Sequence, residues 1–176
     1  MIQPPRDYQM QRITSKALKY DNNYLSIAHT IAELSVDEKV RVGCIIVRGG
    51  QILSQGWNGT ASGMPNHTRD ASGNTLPGVI HSEANALMKL AKNGGGSDGA
   101  TIYCTHSPCY DCAKLILQAG IKRVVYSELY SYDALLFMKE RGLELVCITP
   151  SNRLSSQQDI PREPKESESE YWWGTH

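Results

Sequence analysis

The residues best suited to chemistry form two short clusters, His81-Ser82-Glu83 and Pro108-Cys109-Tyr110-Asp111-Cys112. Cys109 and Cys112 are three positions apart. At the start of a helix that spacing puts both thiols on one face of the first turn, where two sulfurs can grip one metal ion. The partial positive charge of a helix N-terminus favours the thiolate form that zinc needs. His81 opens a second helical segment and offers an imidazole from another part of the chain. Three protein ligands leave a fourth position for water, the layout of a catalytic rather than a structural zinc site. Glu83 lies in the first turn of the same helix, where negative charge is favoured. Beside an activated water, a glutamate can take up a proton and return it. A Cys-x-x-Cys can also be a redox pair or half of a structural zinc site. A redox pair leaves His81 and Glu83 without a purpose. A structural site needs a fourth ligand, and Cys44, Cys104, Cys147, His29, His67 and His106 show no second knuckle spacing.

Several elements must position these clusters. Leu25, Ile27, Ala28, Ile31, Ala32 and Leu34 recur at helical spacing and predict a helix over Tyr24–Leu34, capped by Asp21 or Asn22. The runs Val42–Val47 and Gln51–Trp57 flank Gly49-Gly50 and predict a hairpin. Residues 58–80 are rich in Gly, Pro, Asn, Ser and Thr and read as a loop, long enough to suggest function. A helix over 81–92 stops at Asn93-Gly94. A strand over Ala100–Thr105, a helix from Pro108 to Gln118, a strand over Lys122–Ser127, a helix around Tyr132–Arg141 and a strand over Leu143–Ile148 follow. Strand–helix–strand steps call for parallel neighbours covered by helices, and the hairpin adds antiparallel pairing. The expected fold class is α/β, a three-layer α/β/α sandwich around a mixed five-stranded sheet, in one domain over residues 1–150. Residues 151–176 are polar and acid-rich and read as a flexible tail, with Trp172 and Trp173 available to dock on the body or on a neighbouring subunit.

The whole chain narrows the partners. Its 176 residues carry 18 Lys plus Arg against 18 Asp plus Glu, so the basic excess expected of a long nucleic-acid binder is missing. No apolar run is long enough to span a membrane, and the polar start lacks a signal-peptide core, so a cytoplasmic location is expected. Five cysteines, two of them in strand-like runs, fit reduced thiols better than a disulfide framework.

His-x-Glu with Pro-Cys-x-x-Cys is the general signature of zinc nucleobase deaminases. The chain resembles the cytidine deaminase superfamily and, within it, the phage-type deoxycytidylate (dCMP) deaminases. The resemblance runs from about Tyr24 to Ile148, through VGCIIV, GWNGTASG (Gly56–Gly63), HSEANAL and SPCYDCAKLILQAGIKRVVYSELY. It implies the cytidine deaminase-like fold and hydrolysis of dCMP to dUMP and ammonia, supplying dUMP for thymidylate synthesis. It implies one catalytic Zn2+ per chain on His81, Cys109 and Cys112, with Glu83 as proton shuttle. Substrate contacts at Tyr130, Asn58 and Asn85, and a phosphate partner at Arg41, are implied in the same way. So are a hexameric homo-oligomer, the effectors dCTP and dTTP with Mg2+, and effector contacts at Gly56, Asn58, Gly59 and Lys92. Most relatives have Ala where this chain has Ser82; both are small, so little change is expected, though the serine hydroxyl can add a contact. Some phage relatives hold a second, structural zinc through extra Cys and His; the N-terminal half here offers only Cys44, His29 and His67. Other substrates within the class are dCTP, free cytidine and tRNA adenosine, the last of which calls for a basic docking face. Outside the class, a non-catalytic nucleotide sensor is the alternative, and a sensor has no need of Glu83.

Overall fold

Every side chain along Gly43–Val47 is buried, the pattern of a strand covered on both faces. The computed structural model describes residues 15–149 and builds them around that strand. Residues 1–14 and 150–176, including the expected tail with Trp172 and Trp173, lie outside the described residues. The elements are α1 (Ser15–Ala32), β1 (Gly43–Arg48), β2 (Gln51–Trp57), β3 (Gly59–Thr60), β4 (Val79–Ile80), α2 (Ser82–Lys92), β5 (Thr101–His106), α3 (Tyr110–Gln118), β6 (Arg123–Glu128), α4 (Tyr132–Glu140) and β7 (Glu144–Cys147). The main sheet has five strands in the order β2-β1-β5-β6-β7. β1 is antiparallel to β2 and β5, while β5, β6 and β7 run parallel, so the sheet is mixed as expected.

Side chains alternate across this sheet. Cys44, Ile46, Ile102, Cys104, Val124 and Tyr126 face α2, α3 and α4, meeting Ala86, Leu90, Ala113, Ile116, Leu135 and Met138. Ile45, Val47, Tyr103, Val125, Val146 and Ile148 face α1 through Leu25 and Ala28. The result is the expected α/β/α sandwich, with α1 alone on one face. Each large aliphatic side chain so buried contributes about 1.5–3 kcal/mol. No helix among the described residues is long and apolar enough to cross a membrane.

Three expectations are corrected. α1 begins at Ser15 rather than Tyr24, so Asp21 and Asn22 lie inside it and cap nothing. The buried Asp21 carboxylate instead accepts hydrogen bonds from the Tyr103 hydroxyl and from Arg123 Nη1 and Nη2, each at 2.8 Å. That pair joins α1 to the sheet, and local periodicity cannot show it. α3 starts at Tyr110, with Cys109 as its N-cap. Finally, residues 58–80 are not plain loop. β3 and β4 pair Gly59 with Ile80 and Thr60 with Val79, and Arg69 bridges Thr75, which ties the segment's ends together beside α2.

Two glycine sites matter for position. Gly49 and Gly50 both have positive φ, 58° and 81°, which suits the tight β1–β2 turn the Gly-Gly pair predicted. Gly56 lies where β2 meets α2, and a methyl group there would run into the Ser82 carbonyl oxygen and the Ala86 nitrogen. Both obstacles are backbone, so neither can swing aside. Gly56→Ala is expected to lower stability by about 3 kcal/mol, the upper end for overpacking, measured as a shift in the denaturant midpoint.

Candidate active site

Two helix N-termini converge. His81 is the N-cap of α2 and Cys109 the N-cap of α3, where its Sγ accepts a hydrogen bond from the Cys112 amide. His81 Nδ1 lies 3.3 Å from Cys109 Sγ and 3.6 Å from Cys112 Sγ. All three donor atoms fall within 4.8 Å of one another. A tetrahedral zinc with Zn–N of about 2.0 Å and Zn–S of about 2.3 Å places its nitrogen and sulfur ligands about 3.6 Å apart. The donor set therefore fits zinc in chemistry and in spacing. Among the described residues it is the one cluster of this kind.

The charges are arranged to suit a cation. The Cys109 thiol is held down at about 4, chiefly by the Cys112 side chain and then by His81, against the effect of burial. Cys112 is pushed far up, first because its thiol hydrogen-bonds to Cys109 and then by burial, with smaller repulsion from Glu83 and Cys109. A divalent cation between the sulfurs reverses that, favouring thiolate on both. The hydrogen bond to Cys109 raises His81. Glu83 is 4% exposed, and burial raises its carboxyl against the hydrogen bonds it accepts from its own backbone and from Ser82. A carboxyl held up in this way is suited to taking and returning a proton.

These groups border a pocket of about 350 Å³, within the range for small-molecule sites. His81, Ser82, Glu83 and Cys109 form one part of its wall. Tyr130 lines it too, with its ring largely exposed and its amide donating to Ser107 Oγ at 2.8 Å. Asn58 is also in the wall, but its side chain is already engaged. Its Oδ1 accepts from the Val42 amide at 2.8 Å, and its Nδ2 donates to the Val40 carbonyl at 2.9 Å. Asn58 thus shapes the 40–42 wall.

The structure does not bring the other expected contacts into the pocket. Asn85 donates to the Trp57 carbonyl at 2.8 Å and fastens α2 to β2. Arg41 is exposed and pairs with Glu33 at 3.4 Å. The resemblance implied a phosphate partner at this position, with a surface charge as the alternative, and the half-exposed side chain here also reaches the Asp37 carbonyl through Nε at 3.4 Å. Of the expected effector contacts, Gly56 is packed under α2 and Gly59 is buried in β3. Lys92 is exposed at the last position of α2, about 15 Å along the helix from its N-terminus.

Sequence reasoning missed Arg69, Asp37, Thr75 and His106, all in the pocket wall. Arg69 donates to the Asp37 carboxylate through Nε at 3.0 Å and Nη2 at 2.8 Å, and to Thr75 Oγ1 through Nη1 at 2.8 Å. The Asp37 side chain is fully buried and also accepts the Lys39 and Val40 amides. His106 Nε2 lies 3.1 Å from a Glu128 carboxylate oxygen. The only signal in the sequence was the length of the 58–80 segment.

The sequence profile described as the cytidine and deoxycytidylate deaminase zinc-binding region matches residues 18–128. The chain belongs to this family, and the matched span contains His81, Glu83, Cys109 and Cys112. It is similar to the dCMP deaminase of the cyanophage S-TIM5, solved in complex with dCMP and dUMP, with a TM-score of 0.72 and 39% identity over 74% of this chain and 97% of that one. It is 36% identical over 117 residues to ComE operon protein 2 of Bacillus subtilis (strain 168), covering 64% of this chain and 61% of that protein. With the deoxycytidylate deaminase of Enterobacteria phage T2 it shares 33% identity over 147 residues, covering 60% of this chain and 78% of that enzyme. The chain thus spans about three fifths of the Bacillus protein's length.

Although burial opposes it, the Asp37 charge is favoured by Arg69 and by the Val40 and Lys39 amides, which lower its pKa from 3.8 to about 2. A depressed folded-state value stabilises the fold above the unfolded value, and that stability is lost as pH falls from about 4 toward 2. By linkage it is worth roughly 2 kcal/mol. Denaturant unfolding of Asp37→Asn at pH 6 should fall short of wild type by at least about that amount, with the gap narrowing toward pH 3.

Proposed function

We propose that this chain hydrolyses the exocyclic amine of dCMP, giving dUMP and ammonia and so supplying dUMP for thymidylate synthesis. The observation that carries the reading is a His–Cys–Cys donor set, two of whose members, His81 and Cys109, line one pocket together with a buried glutamate. The 39% identity to an enzyme solved with dCMP and dUMP supports the choice of nucleotide.

His81, Cys109 and Cys112 would hold the metal. When bound, zinc supplies Lewis acidity that makes water a nucleophile at neutral pH. Glu83 takes the proton from the attacking water and delivers it to ring N3, which makes C4 a better electrophile. The carboxylate then collects the second proton of the added water from the C4 hydroxyl and passes it to the departing amine, which leaves as ammonia, so the shuttle ends the cycle as it began. Tyr130 offers an aromatic face at the rim for base or sugar. Arg69 takes the place expected for Arg41 as phosphate partner, with Thr75 beside it. Asp37 holds one edge of the guanidinium, through Nε and Nη2, which fixes the plane of a donor meant for a phosphate. Asn58 keeps the 40–42 wall in shape.

The coarser readings extend to partners and place. A hexameric assembly and regulation by dCTP and dTTP with Mg2+ belong to this proposal on the strength of the family resemblance. Sedimentation with and without each nucleotide tests both. Ligand thiols that must stay reduced fit a cytoplasmic setting.

Three measurements bear on the reaction. Ammonia release from dCMP, dCTP, deoxycytidine and cytidine, assayed side by side, should favour dCMP; equal rates on deoxycytidine would remove the phosphate from recognition. Glu83→Ala should keep one zinc per chain while kcat falls roughly 10³-fold, and full activity in that variant would end its assigned role. Arg69→Ala should raise KM for dCMP roughly tenfold or more, the scale of a lost charged hydrogen bond, while leaving the slow reaction with deoxycytidine unchanged.

A further inference from the structure

Ser82 sits between a metal ligand and the proton shuttle, and it is fully buried, with 0% of its surface exposed. Its Oγ lies 2.8 Å from Glu83 Oε2. The hydroxyl is the donor in this bond. Ser82 itself cannot drift. The Cys44 thiol donates to its carbonyl oxygen at 3.1 Å, and Gly56 packs so closely on that carbonyl that no Cβ would fit. One side chain anchored from below by β1 and β2 therefore reaches the carboxylate from a fixed point.

A glutamate left to itself has a broad terminal torsion and two equivalent oxygens. For a group that must take two protons in turn from the water oxygen and hand one to N3 and the other to the amine, that freedom is a handicap, since productive transfer needs hydrogen-bond reach at each step. A hydroxyl donating to an ionised oxygen is among the stronger protein hydrogen bonds. We infer that Ser82 is a positioning residue, whose hydroxyl occupies Oε2 of Glu83 and leaves Oε1 as the oxygen that takes up and returns the proton. The inference rests on the proposed role of Glu83 as shuttle, and the effect is one of orientation.

The test is Ser82→Ala, made alone and in the Glu83→Ala background, with zinc content, thermal melting, kcat and KM for dCMP measured on each protein. Alone, it should lower kcat roughly ten- to hundred-fold, the scale of one hydrogen bond to a charged group. KM should stay within about twofold and zinc at one per chain, because neither the ligands nor the pocket rim is touched. In the Glu83→Ala background the same change should lower residual turnover no further, since no carboxylate remains to be oriented. The inference is overturned if Ser82→Ala keeps the wild-type kcat. It is overturned equally if the fold loss is the same in both backgrounds, or if the loss comes with missing zinc or a raised KM, as a structural role would give. Wild-type protein assayed alongside separates the two levels. If it fails to turn over dCMP, the proposed reaction goes and the shuttle with it; if wild type and Ser82→Ala turn over equally, only the assignment of Ser82 goes.

Discussion

The seat of α2 on β1 and β2 fixes how far its N-terminus stands from that of α3, and every feature of the site depends on that distance. Four contacts hold it: the Cys44 thiol on the Ser82 carbonyl, Ser54 Oγ on the Ala86 carbonyl at 2.7 Å, Asn85 on the Trp57 carbonyl, and Lys89 over the Trp57 ring at 3.6 Å. The missing side chain of Gly56 lets the backbones come together. α3 is launched from β5, the neighbour of β1 in the sheet, so its first turn arrives beside the first turn of α2. The positive ends of both helix dipoles then point at a cluster built to carry negative charge, two thiols and a carboxyl. Sheet order, rather than any contact between His81 and the cysteines, is what brings the ligands together.

Charge in the molecule is compensated locally. On the far face Arg123 is shared between Asp21 and Glu144, and this holds α1 against β5 and β6. At the pocket, Asp37 and Arg69 form a second buried pair, completed by two backbone amides and Thr75. Breaking such a pair costs more than making it gains, because one charge is left desolvated. What these pairs secure is geometry: one sets the helix on the sheet, the other sets the wall of the pocket. The sulfur pair is the exception, since two thiolates side by side call for a cation between them.

Much of this was legible in the sequence where the information is local. The ligand triad and Glu83 sit in two short motifs whose helical register follows from spacing alone, and the Gly49-Gly50 turn and strand periods gave the mixed sheet. What was not legible depends on distant partners. Asp21, inside α1, meets Tyr103 and Arg123, residues about eighty to a hundred positions away. Arg69 gave no signal, because an isolated arginine in an aperiodic segment reads as solvated until the β3–β4 pairing folds it back. Arg41 and Asn85 misled for a related reason. Adjacency to a motif fixes where a backbone runs, not which way a side chain turns, and theirs turn to Glu33 and to Trp57.

The pocket therefore joins two kinds of construction. One part, His81, Glu83, Cys109 and Cys112, stands on helix starts that the sheet holds rigid, where chemistry that tolerates little displacement must be placed. The other part comes from the 37–42 turn, the 58–80 segment and the 128–131 turn, where a change of side chain need not disturb the core. Ser107 and Asn58 mark the seam between them. Each uses its polar atoms on the backbone of a neighbouring loop: Ser107 Oγ accepts from the amides of Tyr130 and Ser131, while Asn58 donates to the Val40 carbonyl and accepts from the Val42 amide. A nearly neutral wall has a further consequence. Because Asp37 offsets Arg69, the site has little net attraction for an arbitrary anion, and a phosphate would have to match the fixed edge of the guanidinium to gain from it. Discrimination would then come from shape and hydrogen bonding rather than from bulk charge, in keeping with a chain whose total charge is zero.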